Sequence, residues 1–290
     1  MLSQINFLSL HRINQEHLKV KVSTDVSYRI VLIGAGRVAT HLGLALARAG
    51  QQMVAVYSRT QPSAQRLADR LGCTALTSLS LLPKDADLYV VSVADSAVAS
   101  ILEGMPRVEG VVVHTAGSLP LSLLASEKWK GYGVFYPLQT FSMEREVDFS
   151  RLTCYVEADG PETFVLLRQL AQRLGSACRT STSEQRRWLH VAAVFACNFS
   201  NHCYAMADHI MQCHGMAFGD LLPLIEETVG KLRDLTPLEA QTGPAVRNDR
   251  EVMACHEQML ANEEGLLSAY RLMSQSIAAM QGQNIHTAQR

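Results

Sequence analysis

Residues 28–60, YRIVLIGAGRVATHLGLALARAGQQMVAVYSRT, decide the fold of this chain. They begin with the β-rich apolar run 30–33, turn through residues 34–39, continue with leucines at helical spacing, and close with a second apolar run at 53–57. The pattern predicts a strand, a tight glycine turn, a helix and a second strand within about thirty residues. In that context each small residue of the G-x-G-x-x-A sequence can be assigned a structural role.

Each small residue of this turn has a physical reason. Gly34 permits the sharp turn, Gly36 has no Cβ to keep a diphosphate away from the backbone, and Ala39 allows helix and strand to pack closely. The helix that follows offers unpaired N–H groups and the positive end of its dipole. We therefore predict a dinucleotide site that includes Gly34, Ala35, Gly36, Arg37 and Val38; the alternative is an ordinary glycine turn.

The end of the second strand favours NADP over NAD. Sites that prefer NAD usually place Asp or Glu about 20 residues after the turn, where the carboxylate accepts from the ribose 2′-hydroxyl. This chain has Ser58, Arg59 and Thr60 there instead, a cation and two hydroxyls that could receive a 2′-phosphate. NADP is the predicted cofactor and NAD remains possible; alternatively, Arg59 simply faces solvent.

The composition is that of a globular protein of two domains. The chain has 290 residues, 48% of them hydrophobic and 18% charged, with a formal net charge of −1. It has no long basic run and no run of eighteen apolar residues, so neither a nucleic-acid partner nor a membrane span is expected. Its seven cysteines are scattered without a C-x-x-C pair, which is typical of reduced thiols in a cytoplasmic protein.

Strand and helix patterns alternate as far as about residue 180, and only helical patterns follow. The expected strands are residues 30–33, 53–57, 73–76, 87–93, 111–113, 131–137, 153–157 and 177–180. The alternation predicts an α/β fold, with an N-terminal doubly wound, parallel, Rossmann-like domain followed by an all-α C-terminal domain. The predicted boundaries are an N-terminal extension at 1–27, the dinucleotide-binding domain at 28–181 and a helical substrate and dimerisation domain at 182–290.

Polar residues follow the later strands, where ligands of such sheets bind. After the fourth and fifth strands, cofactor contacts are predicted for Val93, Ala94, Asp95 and Thr115. His114 is a candidate proton donor and Gln139, after the sixth strand, a candidate substrate contact. The alternatives are that Asp95 caps a helix and that His114 is a core histidine satisfied by the backbone.

The helical half contributes further candidates. On a regular helix over residues 184–213, His190, Asn198 and Asn201 fall within about an 80° arc. Buried polar groups need partners, so His190 and Asn198 are predicted catalytic residues and Asn198 also a substrate contact, the alternative being hydrogen bonds between packed helices. Arg247 and Asp249, after a Gly-Pro turn, are predicted substrate contacts, or Asp249 caps the next helix.

No metal site is predicted. His202, His209 and Cys213 share one stripe of the same helix. Seven residues separate the two histidines by about 10 Å along the axis, which is too far for one tetrahedral ion. A packed or subunit-interface stripe is the expected role.

Five segments across both halves resemble one bacterial family, in which a Rossmann-like NADP oxidoreductase domain precedes a helical domain of unknown function. They are GAGRVA at 34–39, HTAGS at 114–118, PLQTFS at 137–142, AVFACNF at 193–199 and TGPAVRND at 242–249. The chain is similar, more distantly, to pyrroline-carboxylate reductase, prephenate dehydrogenase and the β-hydroxyacid dehydrogenases. The resemblance implies a cofactor site in the first domain and a homodimer formed through the helical domain.

Two positions depart from these relatives. Tyr136 stands where many family members have histidine, and Val194 stands one turn before Asn198, where the β-hydroxyacid dehydrogenases have a lysine. His190 and His114 are therefore left as the predicted proton donors. The leading hypothesis is an NADP-dependent oxidoreductase that transfers hydride to a small carbonyl or imine substrate. The alternatives are a catalytically silent NADP(H) sensor and an enzyme using another dinucleotide or a deazaflavin partner.

Overall fold

The computed structural model describes residues 27–287, with side chains as far as residue 282. Internal contacts divide the chain into two compact units, and the division falls between Val194 and Phe195. The predicted extension at 1–27 lies almost wholly outside the described residues.

Among the described residues of the first unit, one sheet of eight strands forms the framework. The strands are β1 (Arg29–Ile33), β2 (Gln52–Tyr57), β3 (Thr74–Leu76), β4 (Leu88–Val91), β5 (Val111–His114), β6 (Gly131–Pro137), β7 (Thr153–Ala158) and β8 (Ala177–Thr180). Their order is β3-β2-β1-β4-β5-β6-β7-β8, so the chain reverses direction across the sheet between β1 and β4. The sheet and the helical region after it confirm the predicted fold class.

The pair β6–β7 departs from the predicted parallel arrangement. These two strands run antiparallel, with Phe135 opposite Val156, whereas all other neighbouring strands are parallel. The connection between them contains only the three-residue 3₁₀ turn Phe149–Arg151. A parallel return is usually made through an α-helix, and this connection contains none.

Helices cover both faces of the sheet. They are α1 (Arg37–Arg48), α2 (Gln61–Leu71), α3 (Asp95–Gly104) and α4 (Pro161–Arg173). Ile30 and Leu32 of β1 join the core beneath α1, α2 and α4, while Val31 and Ile33 join the core beneath α3. Strands buried on both faces need apolar residues at every position, which explains the continuous apolar runs in the sequence.

The helical segment predicted at 184–213 contains a π turn. It consists of α5 (Ser183–Ala193), a π segment (Val194–Phe199) and α6 (Ser200–Cys213). A capping box of Thr182 and Gln185 begins α5. A π turn closes i→i+5 hydrogen bonds, so the spacing of 100° per residue does not continue through it. The arc predicted for His190, Asn198 and Asn201 therefore does not describe the folded chain.

The remaining helices belong to the second unit. They are α7 (Leu222–Gly230), α8 (Pro244–Arg247), α9 (Arg250–Met259) and α10 (Glu264–Thr287). Ala245 is the one buried residue among the described side chains of this unit. Across residues 27–287, none of the helices is both long enough and apolar enough to cross a membrane.

Candidate functional site

A cleft of about 810 Å³ opens at the carboxyl ends of the parallel strands, and all the residues that line it belong to the first unit. It includes the turn after β1 and the segment after β4, the two strands between which the sheet order reverses. In open α/β sheets this reversal creates the crevice that receives a ligand. The site thus lies where the order of strands and helices predicts it.

Gly34 is required by the fold itself. Its φ is +125°, and a Cβ at this position would lie 2.1 Å from the carbonyl oxygen of Ser92. Its N–H donates to the carbonyl of Tyr57 at 2.8 Å. Only glycine allows β1 to turn this close to the strand end of β4.

Gly36 differs, because the protein's own packing does not require a glycine there. A Cβ on Gly36 would meet no atom within 4 Å, although the residue lines the cleft. Gly36 is the N-cap of α1, and no side chain of the described residues caps this helix or places a carboxylate in its first turn. The first-turn N–H groups are thus free to bind an anion, as a dinucleotide site requires.

The end of β2 supplies hydroxyl groups and a cation. Ser58, Arg59 and Ser63 line the cleft, and Arg59 is exposed. Thr60 does not line it; its hydroxyl donates to Ser63 Oγ at 2.9 Å instead. Ser63 was not predicted as a site residue from the sequence, although its position one turn beyond Thr60 on a helix could have suggested that it lies beside Thr60.

The other residues predicted to contact the cofactor also line the cleft: Ala35, Arg37, Val38, Val93, Ala94, Asp95 and Thr115. Thr115 donates to Ser92 Oγ at 3.0 Å, which ties the ends of β4 and β5 together. Asp95 accepts from the Ser118 hydroxyl and does not cap α3, whose N-cap is Ala94. Cofactor contact by these residues stays a prediction.

Tyr136 and His190 form a hydrogen-bonded pair in the cleft. The Tyr136 hydroxyl lies 3.3 Å from His190 Nδ1, and the two rings meet edge to face. Burial raises the pKa of Tyr136, which therefore keeps its proton at neutral pH. A Cβ on Gly117 would lie 3.0 Å from both partners, so the glycine of the HTAGS segment leaves room for the pair. The sequence predicts a catalytic role for His190 but none for Tyr136.

A buried ion pair holds α5 one turn before His190. Arg186 is fully buried and donates to Glu157 Oε2 at 2.5 Å and to the carbonyl of Leu119 at 2.5 Å. Ser183 donates to the same carboxylate through its N–H and its hydroxyl, at 2.9 and 2.8 Å. Since Glu157 lies in β7, this network fixes the helix of His190 to the sheet. Nothing in the local sequence distinguished Arg186 from a solvent-exposed arginine.

His114 lies outside the cleft lining. It is fully buried at the end of β5; Ala116 N–H donates to its Nδ1 at 3.2 Å, and Nε2 lies 3.5 Å from the carbonyl of Pro120. Burial, assisted by the nearby Arg186 guanidinium, lowers the pKa of His114 to about 4. This geometry matches the alternative of a core histidine satisfied by the backbone, and it favours His190 as the proton carrier.

The predicted substrate residues fall in both units. Gln139 lines the cleft of the first unit, and its Oε1 accepts from Thr140 N at 2.8 Å. Asn198 lies exposed in the π segment, and Arg247 ends α8. Asp249 caps α9 by accepting from Val252 N at 3.3 Å. The roles of these residues toward a substrate stay predictions.

Comparison with known proteins identifies both parts of the chain. Residues 19–132 match the Rossmann-like domain model, and residues 152–277 match DUF2520, a domain of unknown function. The crystal structure of a candidate NADP oxidoreductase from Bacteroides fragilis is 43% identical, covers 87% of this chain and 98% of that chain, and has a TM-score of 0.81. A search of curated proteins gives no match.

Two more distant structures share the fold. The Aspergillus terreus reductive aminase, solved with NADPH and ethyl-5-oxohexanoate, is 16% identical over 89% of this chain and 92% of that chain, with a TM-score of 0.57. The Coxiella burnetii pyrroline-5-carboxylate reductase is 13% identical over 87% and 99%, with a TM-score of 0.55. The predicted resemblance to the family that joins a Rossmann-like NADP oxidoreductase domain to a helical domain of unknown function is thus confirmed, and so is, for the fold alone, the resemblance to pyrroline-carboxylate reductase. The chain belongs to the family that joins a Rossmann-like domain to the DUF2520 helical domain.

Proposed function

We propose that this protein is an NADP-dependent oxidoreductase that transfers hydride between the nicotinamide cofactor and a small carbonyl or imine compound. The observation that carries the proposal is a single cleft that combines an uncapped helix N-terminus with a tyrosine–histidine pair. The first feature suits a diphosphate and the second suits proton transfer. The name of the 43% identical Bacteroides fragilis protein, a candidate NADP oxidoreductase, supports the same cofactor.

The residues present fit this cofactor. Gly34 and Gly36 leave the backbone open beside the first turn of α1, where a diphosphate would bind. Ser58, Arg59 and Ser63 would receive the 2′-phosphate, since no carboxylate follows β2 to repel it. NADPH, when bound, supplies the hydride.

Tyr136 and His190 would manage the proton that accompanies reduction. The Tyr136 hydroxyl holds a proton at neutral pH and can donate it to the substrate oxygen or nitrogen as negative charge develops there. His190 Nδ1, 3.3 Å away, can stabilise the phenolate and return a proton to it. In the oxidation direction the pair would accept the proton instead. Gln139, Asn198, Arg247 and Asp249 are the proposed substrate contacts.

A homodimer through the helical unit is the second part of this proposal. Several large apolar side chains of that unit are more than half exposed, among them Phe195, Leu224, Met259 and Leu272. Several large apolar side chains exposed in one unit are typical of an interface between subunits. A second copy of the chain is the proposed partner.

The cofactor proposal is tested by titrating the full-length protein with NADPH and NADH, using the Gly36→Val variant as the probe. A Cβ at this position meets no protein atom within 4 Å, so the substitution should leave the fold intact while blocking the diphosphate. We expect NADPH affinity to fall by at least about tenfold, the free-energy equivalent of one lost hydrogen bond to a charged group.

Gly219→Val is the matched control, because Gly219 also has no neighbour near its Cβ position and lies in the second unit. Equal NADPH affinity in wild type and Gly36→Val would contradict the proposed site. A panel of carbonyl compounds and imines then tests the reaction by loss of NADPH absorbance. Binding of NADPH without its consumption on any compound would favour the sensor alternative.

A further inference from the structure

The second unit contains a cluster of three different metal-ligand side chains that the cleft does not use. His209 and Cys213 lie one turn apart on α6, and Glu263 immediately precedes α10. One ligand atom from each residue lies within 4.8 Å of the other two. We propose that these three side chains bind a zinc ion.

The distances between the ligand atoms fit one tetrahedral ion. His209 Nε2 lies 3.4 Å from Glu263 Oε1 and 3.7 Å from Cys213 Sγ. Zinc bonds of about 2.0–2.1 Å to nitrogen, 2.0–2.2 Å to a carboxylate oxygen and 2.3 Å to sulfur, at tetrahedral angles, separate such atoms by about 3.4 and about 3.6 Å. Two of the three distances between ligand atoms therefore already match those of a tetrahedral zinc site.

The ligand types favour zinc over magnesium and calcium. Magnesium and calcium prefer sites made of oxygen ligands, whereas zinc accepts sulfur, imidazole nitrogen and carboxylate oxygen together. On binding, the Cys213 thiol releases its proton, and the thiolate and the Glu263 carboxylate balance the two positive charges while His209 stays neutral. Three protein ligands leave the fourth position to water.

Without a metal, the cluster would be an exposed ion pair of little value to stability. The side chains of His209 and Glu263 are 53% and 51% exposed, and exposed pairs contribute about 0–1 kcal/mol. Such a pair would not require Cys213 at the third position. Exposure also leaves an open path for the ion to enter.

The experiment measures zinc binding to the full-length protein under thiol-reducing conditions, by competition with a chromophoric chelator. We expect one zinc ion per chain. Cobalt at the same site should produce the near-ultraviolet absorption of a thiolate–cobalt bond. Cys213→Ser should abolish that absorption, and Cys213→Ser and His209→Ala should each weaken zinc binding by more than about 100-fold, since even residues that only support a ligand are worth 10–100-fold.

Cys203→Ser and His202→Ala are the matched controls, because both residues are exposed on the same helix and lie outside the cluster. Both controls should bind zinc as the wild type does, and circular dichroism should show every variant folded. A folded wild-type protein that binds no zinc would overturn the proposal. So would a cobalt spectrum without the thiolate band, or a Cys203→Ser variant as impaired as Cys213→Ser.

Discussion

The two units differ in how much of their apolar surface they bury. In the first unit the strands are covered on both faces, and Phe135 of β6 is completely buried. In the second unit Phe195 is 65% exposed, and Ala245 is the single buried residue among the described side chains. The first unit therefore has a core of its own, whereas the helices of the second unit leave large apolar side chains exposed. If the proposed homodimer forms through these side chains, the stability of the second unit should depend on association and that of the first should not.

The largest expected effect tests this difference directly. Phe135→Ala removes a fully buried ring and should lower the free energy of unfolding by about 3–5 kcal/mol at any protein concentration. Phe195→Ala, its matched partner in the second unit, should leave the first unit intact but shift the protein from dimer towards monomer. Urea unfolding and light scattering at several concentrations measure the two effects.

A wild-type protein that is monomeric at all concentrations would contradict the proposed difference between the units, and so would a Phe195→Ala variant whose first unit is destabilised as strongly as in Phe135→Ala. Limited proteolysis with mass mapping should report which unit opens first.

We expect the first unit also to hold the proton-transfer groups, Tyr136 and His190. Tyr136→Phe removes the hydroxyl but keeps the ring, so it should lower kcat by about 100-fold, the usual contribution of a proton donor, with NADPH affinity unchanged. Asn198→Ala, in the second unit, should instead raise KM for the substrate. Steady-state kinetics with an identified substrate gives both values. Full turnover by Tyr136→Phe would remove the tyrosine from the mechanism.

The smallest expected effect concerns cofactor choice. Arg59→Ala should weaken NADPH by about tenfold and leave NADH unchanged, because only NADPH carries the 2′-phosphate that the guanidinium would receive. Arg247→Ala, the corresponding change in the second unit, should alter neither affinity. Isothermal titration calorimetry measures the affinity of each variant for NADPH and NADH. If Arg59→Ala weakened the binding of both cofactors equally, Arg59 would not contact the 2′-phosphate.

Local patterns predicted much of the fold and part of the site. Gly34 could be assigned to a sharp turn because the requirement is set by neighbouring residues, and the structure gives it a φ of +125°. The strands were recognisable because strands buried on both faces need continuous apolar runs. The antiparallel β6–β7 pair and the π segment were not, since neither the direction of a strand nor a π turn has a reliable signal in a single sequence.

The site residues that the sequence argument missed depend on distant contacts. Tyr136 matters because it contacts His190, 54 residues away. Arg186 cannot be distinguished from a surface arginine by sequence, and only the structure shows that it is buried and paired with Glu157. His114 shows the converse. Its place at a strand end favoured a chemical role, but the folded chain buries it against the backbone.

The amino-acid sequence by itself determined the glycine turn, the alternating strands and helices, and the absence of a carboxylate after β2, because each depends on residues close together in the chain. Only the tertiary structure decided which side chains meet. It paired Tyr136 with His190 and brought Glu263 to His209, each pair 54 residues apart in the chain, and it placed Glu263 beside Cys213 as well. Such contacts arise when separate elements pack, and the spacing of residues along one helix cannot reveal them.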